Sequence, residues 1–75
     1  MKLKTESVEN GRRALAAFFK LKKLNFAERF HYDWTFEHGQ LWITRIDGAA
    51  WSVCDAVGGP SVDGFDFEQV SEGED

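Results

Sequence analysis

Phe30-His31-Tyr32-Asp33-Trp34-Thr35-Phe36-Glu37 is the stretch that decides the fold. Four aromatic side chains alternate with four mostly polar ones, the period of two expected for a strand with one buried and one wet face. His38-Gly39 then turns the chain. Leu41, Trp42, Ile43, Thr44 and Ile46 follow as a second strand rich in aromatic and β-branched residues, ended by the hairpin dipeptide Asp47-Gly48. The pattern predicts strands over about 29–37 and 40–47.

Working outward, a third strand is expected over about 50–57, where it runs into Gly58-Gly59-Pro60-Ser61-Val62-Asp63-Gly64, a turn-rich loop by its glycine and proline punctuation. Phe65-Asp66-Phe67-Glu68-Gln69-Val70 alternates again and predicts a fourth strand over 65–70, with 71–75 a polar, mobile tail. Upstream, Val8, Leu15, Phe18 and Phe19, with Ala14, Ala17 and Leu21 beside them, approximate the spacing of an amphipathic helix over about 6–23. Thr5 or Ser7 can cap it, Glu6 and Glu9 suit the positive end of its dipole, and Lys20, Lys22 and Lys23 suit the negative end. Gly11 costs such a helix about 1 kcal/mol relative to alanine and leaves open a start at Arg12 after an Asn10-Gly11 turn. Asn25-Phe26-Ala27-Glu28 fits a capping box and allows one short helical turn before the strand. One helix followed by four closely connected strands is an α+β order. The short links favour an antiparallel meander, and Leu15, Phe18 and Phe19 are best buried against one face of that sheet, giving two layers.

Seventy-five residues make a single small domain. Three Trp, seven Phe and one Tyr mean that few, large side chains build its core. With one cysteine, Cys54, the chain has no internal disulfide, which suits a reducing compartment and leads us to expect a cytoplasmic protein. Met1-Lys2-Leu3-Lys4-Thr5-Glu6 lacks the apolar run of a signal peptide, and no later stretch approaches the roughly 18 apolar residues of a membrane span.

Charge is divided by position. Residues 1–24 carry seven Lys or Arg and two acids, a balance of +5; residues 25–75 carry two Arg and eleven acids, a balance of −9. The total is −4. Such a division concerns partners and not fold.

A search for chemistry finds no catalytic or metal signature. His31, Asp33 and Glu37 share the wet side of the first strand, but residues two apart on a strand are roughly 7 Å apart, and an exposed polar face has the same composition. One cysteine and two histidines without paired spacing do not make a zinc site. Cys54, between Val53 and Asp55, reads as a small buried residue. Gly58-Gly59-Pro60-Ser61 leads towards a strand and lacks the lysine of a phosphate cradle. We therefore expect no enzyme activity, no cofactor and no metal.

What remains is interaction. Asp33, Glu37, Asp55, Asp66 and Glu68, with Asp47 and Asp63, scatter carboxylates over the exposed side and rim of one sheet, positions from which they can imitate the phosphates of a nucleic acid. If Leu41 and Ile43 point inward, Trp42, Thr44 and Ile46 point outward and leave an aromatic patch on the face opposite the helix. Asp33, Glu37, Trp42, Asp55, Asp66 and Glu68 are the expected partner-binding residues. The alternatives are nucleic-acid binding through Arg12, Arg13, Lys20 and Lys23 on the outer face of the helix, and self-association through Trp42 as a homodimer or small assembly protein. In size, solitary-domain build and charge the chain resembles the small acidic proteins with which phages and mobile elements inhibit host defence, the anti-CRISPR type among them. That resemblance implies a cofactor-free, stoichiometric blocker that occupies a DNA-binding or assembly surface on a large effector complex in the host cytoplasm.

Overall fold

The computed structural model describes residues 2–55 and 64–73, and the side chains of residues 8–54 and 64–73. The order is α1 (Lys2–Lys22), α2 (Phe26–Arg29), β1 (Tyr32–Glu37), β2 (Gln40–Arg45), β3 (Ala49–Asp55) and β4 (Phe65–Glu72). The strands form one antiparallel sheet in the order β1-β2-β3-β4, so each strand pairs with its neighbour in sequence. The expected α+β, two-layer arrangement is the one observed, with α1 laid over one face of the meander.

The helix begins at Lys2, earlier than its charge pattern suggests, so Thr5 and Ser7 lie within it and no acid falls in its first turn. It also runs through Gly11 without a break, because the missing side chain is what lets it approach the sheet. A Cβ at this position would fall inside the Trp34 indole. α1 ends in a double-bonded cap: Lys23 takes a left-handed conformation (φ 54°), its N–H donates to the Lys20 carbonyl at 3.2 Å, and the Leu24 N–H donates to the Phe19 carbonyl at 3.1 Å.

Asn25 then starts α2 through the anticipated capping box. Its side chain accepts from the Glu28 N–H at 2.8 Å, and the Glu28 carboxylate accepts from the Asn25 N–H at 3.4 Å. This turn carries Phe30 into a helical conformation (φ −67°, ψ −14°), so β1 opens at Tyr32, later than the alternation suggests, and Phe30 leaves the inward row. His38 and Gly39, both at positive φ (53° and 73°), make the tight hairpin that pairs Glu37 with Gln40.

The inward row of the sheet is Tyr32 and Trp34 on β1, Leu41, Ile43 and Arg45 on β2, Ala49, Trp51 and Val53 on β3, and Phe65 and Phe67 on β4. Phe18 of α1 is fully buried at its centre, with ring centroids 5.4 Å from Tyr32, 4.8 Å from Trp51 and 5.2 Å from Phe67. A register shift between Ala50 and Trp51 lets β4 continue to Glu72, so Ser71 and Glu72 pair with Ala50 and Ala49 and belong to the sheet instead of a mobile tail. The expected continuation of β3 to residue 57, most of the glycine-rich loop, and Glu74 and Asp75 lie outside the described residues.

Arg45 and Asp47 fasten the end of this meander. The Arg45 guanidinium donates to Asp47 Oδ1 at 2.8 Å, lies 2.7 Å from Asp47 Oδ2, and reaches the Glu72 carbonyl at 3.4 Å. Asp47 Oδ1 also accepts from the Ala49 N–H at 3.0 Å. Gly73 (φ 81°) passes so close that a Cβ would stand 2.7 Å from Asp47 Oδ1 and 2.8 Å from the Ala49 nitrogen.

Candidate functional site

Because α1 covers one face of the sheet, the residues of opposite parity form a second face over which no described element lies. Register aligns them across the strands. Thr35, Trp42, Ser52 and Glu68 make one row, and Asp33, Thr44, Ala50 and Ser71 make another. Glu37 and Gln40 pair at one end of β1 and β2, as Cys54 and Asp66 do on β3 and β4. The composition of the face is graded: small or uncharged side chains around a half-buried Trp42 occupy β2 and β3, and acids occupy the two outer strands. Asp33, Glu37 and Glu68 are exposed and Asp66 is half-buried.

Five of the six residues expected to bind a partner, namely Asp33, Glu37, Trp42, Asp66 and Glu68, therefore fall on one surface. Asp55 does not share its register. It pairs with Phe65 in the alternation of Trp51 and Val53, and its side chain lies outside those described. Asp47 is committed to Arg45, which together with the Ala49 N–H holds its carboxyl below the ordinary value. Asp63 lies outside the described residues.

Cys54 corrects an expectation. It is exposed, because Trp51 and Val53 take the helix side and parity sends Cys54, like Ser52, to the face without a second layer. The sequence reading also missed a cluster at the α2 end of the molecule. Phe26, Phe30 and Ile46 are 75%, 73% and 78% exposed, with the two phenyl rings edge to face at 5.2 Å. The signal for it was the capping box, since a helical turn from Asn25 puts Phe26 and Phe30 four residues apart on one side. Phe30 and Ile46 flank a shallow recess of about 230 Å³ that opens beside Asp33 and Thr44. A second recess, of about 410 Å³, lies at the hairpin end, where Asn10 and Phe36 face Leu41, Val53 and Phe65. Among the described residues, no group of three His, Cys, Asp or Glu side chains is disposed to hold a metal ion.

The basic candidates occupy the opposite side of the molecule. Arg12, Arg13, Lys20 and Lys23 are exposed, while Gly11, Ala14, Ala17 and Phe18 on the other side of α1 are buried against the sheet. Arg13 is drawn towards β4, with its guanidinium carbon 5.7 Å from the Phe65 ring centroid. Glu9 is exposed within the same basic surface. No helix among the described residues is long and apolar enough to cross a membrane. Comparison with protein-family models, curated proteins and solved structures found no match.

Proposed function

We propose that the chain is a non-enzymatic protein-binding module that inhibits or regulates a nucleic-acid-handling protein, engaging it through the uncovered acidic face of the sheet. The observation that carries this reading is the coincidence of Asp33, Glu37, Asp66 and Glu68 on that face, in two flanking rows around Trp42. Carboxylates held on a pleated sheet keep fixed spacings, so they can meet lysines and arginines that ordinarily hold phosphates, and their summed field speeds the encounter. Trp42 adds an aromatic anchor in the middle, where contact residues contribute most to binding. This is the mode of action that the resemblance to anti-CRISPR-type inhibitors implies.

The test is recovery of the tagged protein from a bacterial lysate, with and without nuclease, alongside an Asp33→Lys and Glu68→Lys double variant. The expected result is a nuclease-resistant complex with a nucleic-acid-binding protein, reduced at least about tenfold in the variant while its circular dichroism is unchanged. Equal recovery by the variant removes the acidic face from the account. Exposure of Arg12, Arg13, Lys20 and Lys23 away from the sheet favours a second reading, direct nucleic-acid binding. That reading requires a complex with DNA or RNA that weakens steeply with salt and is lost in an Arg12→Glu and Lys20→Glu variant.

A further inference from the structure

The two layers carry opposite charge on their outward surfaces, and the surfaces match in form as well as in sign. At about 100° per residue, Arg12 lies on one flank of the outer side of α1, with Arg13 and Lys20 on the other, some 80–100° away. Ala16, small and exposed, sits between the flanks, with the exposed acid Glu9 in the same strip two turns before it. The uncovered sheet face repeats this plan with the sign reversed. β1 and β4 are three strand spacings apart, roughly 14 Å, and carry the acids on either side of a neutral strip centred on Trp42. A helix is about 10–12 Å across with its side chains, so one laid on the strip places a basic flank against each acidic row.

We infer that a second copy of this chain supplies that helix: the outer side of α1 in one molecule docks on the uncovered sheet face of the next. Face-to-face pairing of two sheets would set acid against acid, and back-to-back pairing of two helices would set base against base. Head-to-tail contact alone brings opposite charges together. Such a contact uses different surfaces on the two partners, so it leaves one sticky surface at each end and propagates as an open stack. Trp42 and Ala16 meet at its centre, a large ring against a small residue, while charged groups form the rim. A copy within a stack has its acidic face covered, so stacking and the partner binding proposed above compete.

Sedimentation velocity of the purified protein alone tests this, at about 0.01 M salt, where charges act over roughly 30 Å, and at about 1 M, where they act over roughly 3 Å. Concentration-dependent species larger than dimers are expected at low salt, with association weakened at least about tenfold at high salt. Two variants dissect the contact. Arg12→Gln with Lys20→Gln disables the helix side, and Asp66→Asn with Glu68→Gln disables the sheet side, the neutral replacements leaving no reversed charges to pair with one another. Each should be monomeric alone, and a mixture of the two should give a dimer that grows no further, since only one competent surface remains on each. A wild type that stays monomeric at about 1 mM overturns the inference, as does a closed two-fold dimer or a mixture that fails to pair. Because no other protein is present, failure here leaves the partner-binding reading standing, and failure of the lysate experiment leaves this one standing.

Discussion

Gly11 and Lys23 each occupy a position where local preference and tertiary geometry disagree. At Gly11 propensity favours alanine by about 1 kcal/mol, but the Trp34 indole fills the space where a Cβ would go. Overpacking of this kind typically costs about 1–3 kcal/mol, so it wins. Gly11→Ala should lower stability by up to about 2 kcal/mol, seen as a fall in thermal midpoint; a rise would mean that α1 can shift away from β1 without loss. Lys23 is the converse case. It holds a left-handed conformation, which costs a residue with a Cβ about 1–2 kcal/mol, at a cap position where glycine is the usual occupant. Lys23→Gly should therefore stabilise the domain by about 0.5–1 kcal/mol in urea unfolding, the gain being reduced by the greater freedom of glycine in the unfolded chain.

At the scale of elements, the turn between β2 and β3 holds the meander through Asp47, which serves Arg45 and the Ala49 N–H at once. Its carboxyl is held below the ordinary value of 3.8, first by the Arg45 hydrogen bonds and then by the backbone. A group depressed on folding stabilises the fold fully above its unfolded value and loses that contribution as pH falls through the folded value. Asp47→Asn should accordingly melt at a lower temperature than the wild type at pH 5–7, and the gap should close below about pH 3.8. A gap that is constant from pH 7 to pH 2 would show that the charge of Asp47 is not what matters. Elements were legible in the sequence wherever one local rule acted alone: strict alternation for β1, the dipeptides His38-Gly39 and Asp47-Gly48 for the turns, the capping box for α2. They were misread where two rules met. Phe30 fits both the strand alternation and the turn begun at Asn25, and the turn prevailed because its hydrogen bonds close within a few residues. The length of β4 was hidden for a different reason, since the register shift at Ala50 and Trp51 depends on the partner strand and leaves no trace in β4's own residues.

At the scale of the whole molecule, the division of charge along the chain becomes a division across the two layers, because α1 comes almost entirely from the basic third and the sheet from the acidic remainder. Parity read from Leu41 and Ile43 was enough to place Trp42 outward, and the same reasoning brought Asp33, Glu37, Asp66 and Glu68 together. It did not anticipate that Phe30 would stand beside Ile46, a juxtaposition made by the main-chain bond from the Ile46 N–H to the His31 carbonyl at 2.9 Å.

The central position of Phe18 has a consequence during synthesis. Its ring is enclosed by Tyr32, Trp51 and Phe67, so the last wall of its pocket leaves the ribosome well after the helix that carries it. At roughly 5–20 residues per second, the 49 positions from Phe18 to Phe67 take about 2–10 s to translate. Through that interval the pocket around Phe18 lacks its β4 wall. The core thus closes only after Phe67 has been made, and a chaperone that grips aromatic helices has its opportunity in the seconds before.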